Sequence, residues 1–486
     1  MPHRTLDRPS RPGRTIAILL LALAAAPGGC ISPDADSDQD LARDLAEARL
    51  GDPASLAATS NDPQAPSPDW NGRDPMDADL AVRVAMSRDT GLRRALADVA
   101  IARAELAQAD RAPNPMVELA LGFPIDGMSG GPAMAAVAQQ LTWLWTRPTR
   151  LDAADAELKS EILDAGWSIV ETDARVRRAH AAAAIAFDRI AVEEAYAAAT
   201  RNLERLVAGL VEAGEASRID LDRIRVEAAE AAVAAESSHI AARRARLVLL
   251  AEIGLPGGSD EFEVSSALEG TTNPIPEEEL VVDLAATARL DVAAAGCRVV
   301  AAEARVGLAD LRRLPEVGAG LAWNRTFSQR RGIVPGVQAS IPIFDDGLPA
   351  IAAADAGLHR VVLAHLEIRR RAVANARLAR TRLVLARDRR VGYEERVLEP
   401  AASAERLASS AYAEGVVDLT VVLLAQQRRI QAERRVLDQR LAEADAWIEL
   451  LLGVGGSFDL TPMVPTIPDH DERVALEQPR SQEIRR

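Results

Sequence analysis

Aromatic residues are scarce in this chain of 486 residues: six Trp, six Phe and three Tyr make up only 3% of it. A large aromatic-rich core is therefore not expected. Ala, Leu, Arg, Glu and Asp dominate long stretches instead, a composition that fits long helices packed through small side chains. Basic stripes are also missing. The formal net charge is −15, and Arg is interspersed with Asp and Glu, which argues against nucleic-acid binding and for a solvated helical surface. Proline disappears between Arg150 and Leu255. No Cys or His pair has metal-ligand spacing, and no Walker or dinucleotide glycine loop occurs. His180, His239, His359 and His365 are scattered over Ala- and Arg-rich segments, where packed or solvated helix residues explain them. No catalytic residue, metal or cofactor is expected, and the chain does not read as an enzyme.

The one long apolar run lies near the start. Arg4, Arg8, Arg11 and Arg14 precede Ile16 to Ala26, a stretch too short to span a bilayer and suited to a signal peptide over residues 1–29. It ends in Ala26-Pro27-Gly28-Gly29-Cys30, similar to a bacterial lipobox with Pro27 in place of the usual Leu. Cys30 is thus the predicted lipidation site, with simple cleavage nearby as the alternative; several acyl chains on one Cys would anchor the protein to a membrane. Cys297, the only other cysteine, reads as a small packed residue. Residues 30–76, rich in Pro, Asp, Ser, Ala and Gly, read as a lipidated tether, and residues 457–486, with four prolines, as a tail.

Between these ends one unit occurs twice, at 77–255 and 281–456, joined by a linker at 256–280. In the first copy an apolar pattern from Asp77 predicts a helix of about 30 residues that stops at Ala112-Pro113-Asn114-Pro115. Two strands follow, Met116 to Phe123 and Ala133 to Trp145, across a Gly-rich loop. The proline-free stretch then predicts a helical hairpin. Ile162, Ile169, Val176, Ala183 and Ile190 recur at seven, in a first arm of about 60 residues. The turn falls at Gly214, where Ser217 can cap the returning helix to Gly254. Asp89 and Pro113 answer to Asp291 and Pro315, Gln140 to Ser340, and Gly214 and Gly254 to Gly415 and Gly455, at offsets of 200 to 202. Gly392 and Pro400 interrupt the second copy alone, which predicts a kink or split there.

The strands have the length of tilted bilayer-spanning strands. Val117, Leu119, Leu121, Val337, Ile341 and Ile343 would form a lipid-facing surface, with Gln338 and Ser340 on the other side. Trp143, Trp145 and Trp323 lie near strand ends, where interfacial aromatics sit. A soluble sheet capping the helices is the alternative. Four strands cannot close a barrel and open edges cannot face lipid, so spanning strands require several subunits in one barrel.

The order of these features resembles the TolC-type outer-membrane efflux proteins. The resemblance rests on Ala112-Pro113-Asn114-Pro115, Gln139-Gln140-Leu141 leading to Arg147 and Arg150, Ser340-Ile341-Pro342-Ile343-Phe344-Asp345-Asp346-Gly347, Tyr412-Ala413-Glu414-Gly415 and Ala425-Gln426-Gln427, set in a duplicated frame. It implies a mainly α fold with a small membrane β-barrel contribution: a homotrimer with a 12-stranded barrel continued by an α-helical periplasmic tube. It implies a lipid-anchored channel of the bacterial outer membrane, surrounded by outer-membrane lipid, working with a periplasmic adaptor and an inner-membrane pump in efflux or export. Gly214, Ser217, Asp220, Gly415 and Asp418 would mark the periplasmic tips and adaptor contacts. Where relatives place acids six and nine residues after the second tip glycine, this chain has Val421 and Leu424. Asp220 and Asp418 are the remaining candidates for a cation-favouring ring; helix N-terminal acids held by the macrodipole are the other reading. A soluble periplasmic coiled-coil adaptor or scaffold is the competing function, but adaptors are expected to carry one hairpin.

Overall fold

The computed structural model describes residues 31–50, 70–123, 131–266, 268, 273–328, 330–340, 343–344 and 346–458. The signal-peptide segment, Cys30, most of the Gly-rich loop after the first strand, Ile341 and nearly all of the tail lie outside the described residues. The elements are α1 (Asp36–Leu50), α2 (Ala78–Arg88), α3 (Thr90–Asp110), β1 (Met116–Leu121), β2 (Ala133–Gln140), α4 (Trp143–Ala213), α5 (Arg218–Glu252), α6 (Glu278–Thr287), α7 (Leu290–Leu311), β3 (Glu316–Arg325), β4 (Arg331–Ser340), α8 (Leu348–Tyr393), a π-helical turn (Glu394–Leu398), α9 (Glu399–Ala413) and α10 (Leu419–Val454).

The first helix is not continuous. Asp77 caps α2 by accepting from Leu80 N at 2.7 Å, and Asp89 turns extended (ψ 120°). Asp89 Oδ1 then accepts from Leu92 N at 3.0 Å to start α3, while its other oxygen takes Arg175. A short acid able to cap thus outcompetes the apolar period. The second copy breaks at the equivalent place, where Arg289 grips Asp291 at 2.7 and 2.9 Å.

Helix α1 lies where an irregular tether was expected. Ala42 and Ala46, one turn apart and fully buried, let it approach closely, and the guanidinium of Arg49 donates to Ala288 O. Met76 pairs with Val264 in an isolated parallel bridge, and Trp70 packs edge-on against Phe262 at 5.1 Å. Two strand ends also fall short of the expected ones. β1 stops at Leu121 and β2 at Gln140, so Trp143 and Trp145 belong to α4, which runs for 71 residues against the expected 60 or so.

The expected seam holds along the start of the arm and loosens toward Ile190, which is only half-buried. Leu158, Ile162, Ala165, Ile169, Val176 and Ala183 are all buried, none more than 5% exposed. A second cluster joins Val281, Leu284 and Ala285 to Ala376, Ala379 and Leu383 and to Trp447, Leu450 and Val454. Small side chains set its spacing: a Cβ on Gly453 would lie 3.1 Å from Ala376 Cα.

The expected interruption of the second copy is the π-helical turn. Proline at position 400 has no N–H and its ring would press on the carbonyl four residues back, so the wider turn of Glu394–Leu398 absorbs it without ending the helix. Charges hold this turn. Glu443, fully buried, accepts from Arg387 Nε at 2.7 Å and from Arg390 Nε, and Arg390 also donates to Glu394 at 2.7 Å.

The chain divides into two compact units, and each draws on both copies of the repeat. One holds Ala100–Leu158 and Val300–His359, with the described residues before Asp36; the other holds Asp36–Val99, Lys159–Val299 and the chain from Arg360. No described helix is long and apolar enough to cross a membrane.

Candidate functional site

In the first unit the four strands form one antiparallel sheet in the order β1-β2-β3-β4. The register sorts their side chains into two unlike faces, because cross-strand partners share a side and neighbours along a strand alternate. One face carries the rungs Val117–Val137–Leu321–Pro335, Leu119–Ala135–Trp323–Ile333 and Gln139–Ala319–Val337, with Leu121 at the end of β1. The other carries Glu118, Gln140, Glu316, Asn324, Gln338 and Ser340 among Gly and Ala, with Met116, Met134 and Val334 as its apolar members. Val117, Leu119, Leu121 and Val337 therefore share the apolar face, and their exposures of 61, 76, 73 and 75% show that nothing in the described chain covers it. Ile343 is also exposed but lies beyond the end of β4. Sequence alternation had identified both edge strands. Its omissions were the central Leu321 and Trp323, since the Gly and Ala between them dilute the alternating pattern of β3.

β1 and β4 are the two ends of this order, and neither has a second partner strand among the described residues. A row of unpaired backbone groups flanked by exposed Leu and Val invites strand addition.

The hairpin tips belong to the second unit. At the first, Gly214 has φ +79° and Glu215 N returns to Leu210 O at 2.8 Å; at the second, Gly415 has φ +73° and Val416 N returns to Ala411 O at 2.8 Å. Both are left-handed helix ends that a side chain would strain. Beneath them Leu203, Val207, Leu221 and Ile224 pack with Ala408, Leu419 and Val422, so the two hairpins share one tip core. Deeper along the arms, Gln427 donates to Glu227 at 2.8 Å and Arg434 grips Glu193 at 2.6 and 2.5 Å.

The caps differ. Ser217 Oγ accepts from Asp220 N at 3.1 Å, capping the first turn of α5, and donates its own proton to Asp220 Oδ2 at 2.6 Å. Asp418 takes the cap position of α10, makes no side-chain cap bond and is exposed. Burial, then the negative charges of Asp220 and Asp418, hold the Tyr412 phenol above the ordinary value. At the first tip the serine is thus the cap, and Asp220 holds its hydroxyl from the first turn of the helix. Replacing Ser217 by Ala should destabilise this tip by about 0.5–2 kcal/mol. Hydrogen exchange should quicken across Arg218–Leu221 and leave the second tip unchanged.

Among the described residues no group of His, Cys, Asp and Glu could hold a metal ion. His180 is buried with Nε2 3.1 Å from Met76 O, and His239 faces Glu194 on the surface.

No protein-family model matches this chain, and no curated protein sequence does. Solved structures do. The outer-membrane channel OprN is 20% identical, covering 83% of this chain and 97% of that one at a TM-score of 0.67. The outer membrane protein VceC of Vibrio cholerae is 17% identical, covering 79% and 97% at 0.67. The outer membrane channel MtrE of Neisseria gonorrhoeae, solved in an open state, is 16% identical, covering 77% and 88% at 0.65. The duplicated frame and its sheet thus carry the fold of the TolC-type outer-membrane channels.

Proposed function

We propose that the chain is one subunit of an outer-membrane channel, three copies of which share a 12-stranded barrel and pass small molecules or ions delivered by an inner-membrane pump through a periplasmic adaptor. The observation that carries this reading is the sheet: one apolar, uncovered face, one polar face, and two open edges. An open sheet cannot lie in lipid with its edge groups unsatisfied, and four strands are too few to close. Copies that join β1 to β4 solve both problems.

The helices support the same arrangement. Ile219, Val226, Val233, Ile240 and Leu247 recur at seven along α5 with exposures of 66, 59, 63, 65 and 43%, on a different stripe from its buried Leu221, Ile224, Ala228 and Ala231. This second seam suits packing against a neighbouring copy. The recurrence of the whole unit disfavours a single-hairpin adaptor, and Cys30 would add a lipid anchor in the same membrane.

The tips are the proposed gate and adaptor contact. With Asp220 and Asp418 both present three times in the assembly, the constriction favours cations. Asp220→Asn with Asp418→Asn keeps cap geometry and removes the charge, so the reversal potential in a salt gradient should move toward zero. An unchanged reversal potential would dismiss the ring. The channel reading itself is tested by extracting outer membranes in mild detergent: the protein should run as an oligomer that heating converts to monomer, whereas a monomer in the soluble periplasmic fraction would contradict it.

A further inference from the structure

The apolar face of the sheet ends in charge. Below Trp323 and Ile333 its last rung is Arg325 opposite Arg331, direct cross-strand partners at the β3–β4 turn. Like charges in this position repel, and arginine on a lipid-facing strand is tolerated only near the headgroups. Among the described residues neither guanidinium pairs with a carboxylate, and Arg325 Nε is buried without a hydrogen-bond partner. Arg330, exposed beside them, adds a third positive charge to the same turn. The turn is the end of the hairpin away from α7 and α8 in the chain, which the channel reading places at the outer leaflet.

We propose that Arg325 and Arg331 form a binding site for the phosphate of an outer-leaflet lipid headgroup, with the acyl chains running along Trp323, Ile333 and Leu321. This rests on the membrane-barrel reading. Two guanidiniums on directly paired positions of adjacent strands offer planar donor forks to one phosphate, whose charge would remove the repulsion between them. A tryptophan one rung deeper sits where indole rings favour the interface. Free phosphate would satisfy the charges but leave the apolar half of the site uncovered, so the ligand is an anionic lipid.

The experiment uses the full-length protein, purified in maltoside detergent and incubated with phosphatidic acid, diacylglycerol or inorganic phosphate, with retained molecules counted by native mass spectrometry. The wild-type oligomer should retain phosphatidic acid, up to about one per subunit. Arg325→Gln with Arg331→Gln should retain it at least about tenfold more weakly, as expected for loss of charge-assisted pairs. Arg360→Gln with Arg389→Gln, an equal change of charge elsewhere, should match wild type. Equal retention by the Arg325/Arg331 variant, equal binding of diacylglycerol, or displacement by millimolar inorganic phosphate would each overturn the site. Heat-dissociable oligomer on a gel is scored in parallel. Its absence in wild type counts against the channel, whereas its presence with unchanged lipid retention in the variant counts against the site alone.

Discussion

Leu321→Arg should abolish the membrane-inserted oligomer, whereas Ala322→Arg, one residue away, should leave it assembled. Leu321 lies on the rung with Val117, Val137 and Pro335; Ala322 lies on the rung with Glu118, Ala136 and Val334, on the other side of the sheet. A charge on the lipid face near the bilayer midplane costs about 2–4 kcal/mol per strand site, roughly 6–12 kcal/mol for three copies. That is comparable with the margin of about 5–15 kcal/mol by which most proteins fold. On the polar face the same side chain is solvated and costs little. The readout is the amount of heat-dissociable oligomer in outer membranes. Equal loss for both variants would mean that the faces are not lipid and water, and the soluble-sheet reading would return.

The second large effect is expected at the π-helical turn. Glu443→Gln removes the fully buried carboxylate that both Arg387 and Arg390 share, leaving Arg390 with Glu394, while the two arginine side chains are 19 and 18% exposed. Breaking one partner of a buried pair costs about 3–5 kcal/mol, and Glu394, which still holds Arg390, places the expected loss at the lower end of that range. The midpoint of urea unfolding of α8–α10, followed by hydrogen exchange, should fall accordingly. Replacing all three residues by Leu or Met should recover most of the loss, since desolvation disappears with the charges. A single variant as stable as wild type would show that the network adds nothing to the interruption at Pro400.

Much of this frame was legible because its signals are periodic or conformational. Gly214, Gly254, Gly415 and Gly455, all at positive φ, punctuate both copies at an offset of 201, and each punctuation mark ends a helix where expected. The heptad through Ile162, Ile169 and Val176 marked the core of α4, and Pro400 marked the wide turn. What escaped were features set by partners distant in sequence. Ala42 and Ala46 look like tether composition until the residues they pack on are known. Asp89 interrupts an otherwise apolar period because it can cap and also receive Arg175. β3 hides its apolar face among glycines, and its identity emerges only from pairing with β2 and β4. At the tips, sequence named both acids but could not show that the charges of both act on the Tyr412 phenol.

The central claim is that the open edges of one sheet are completed by other copies. Cysteine pairs placed one on β1 and one on β4, scanned along Met116–Leu121 and Arg331–Ser340 and oxidised in intact outer membranes, test it directly. Matching pairs should yield covalent dimers and trimers and no larger species. Membrane-inserted protein that forms no intermolecular cross-link at any register, or ladders that continue past the trimer, would contradict a barrel closed by three copies.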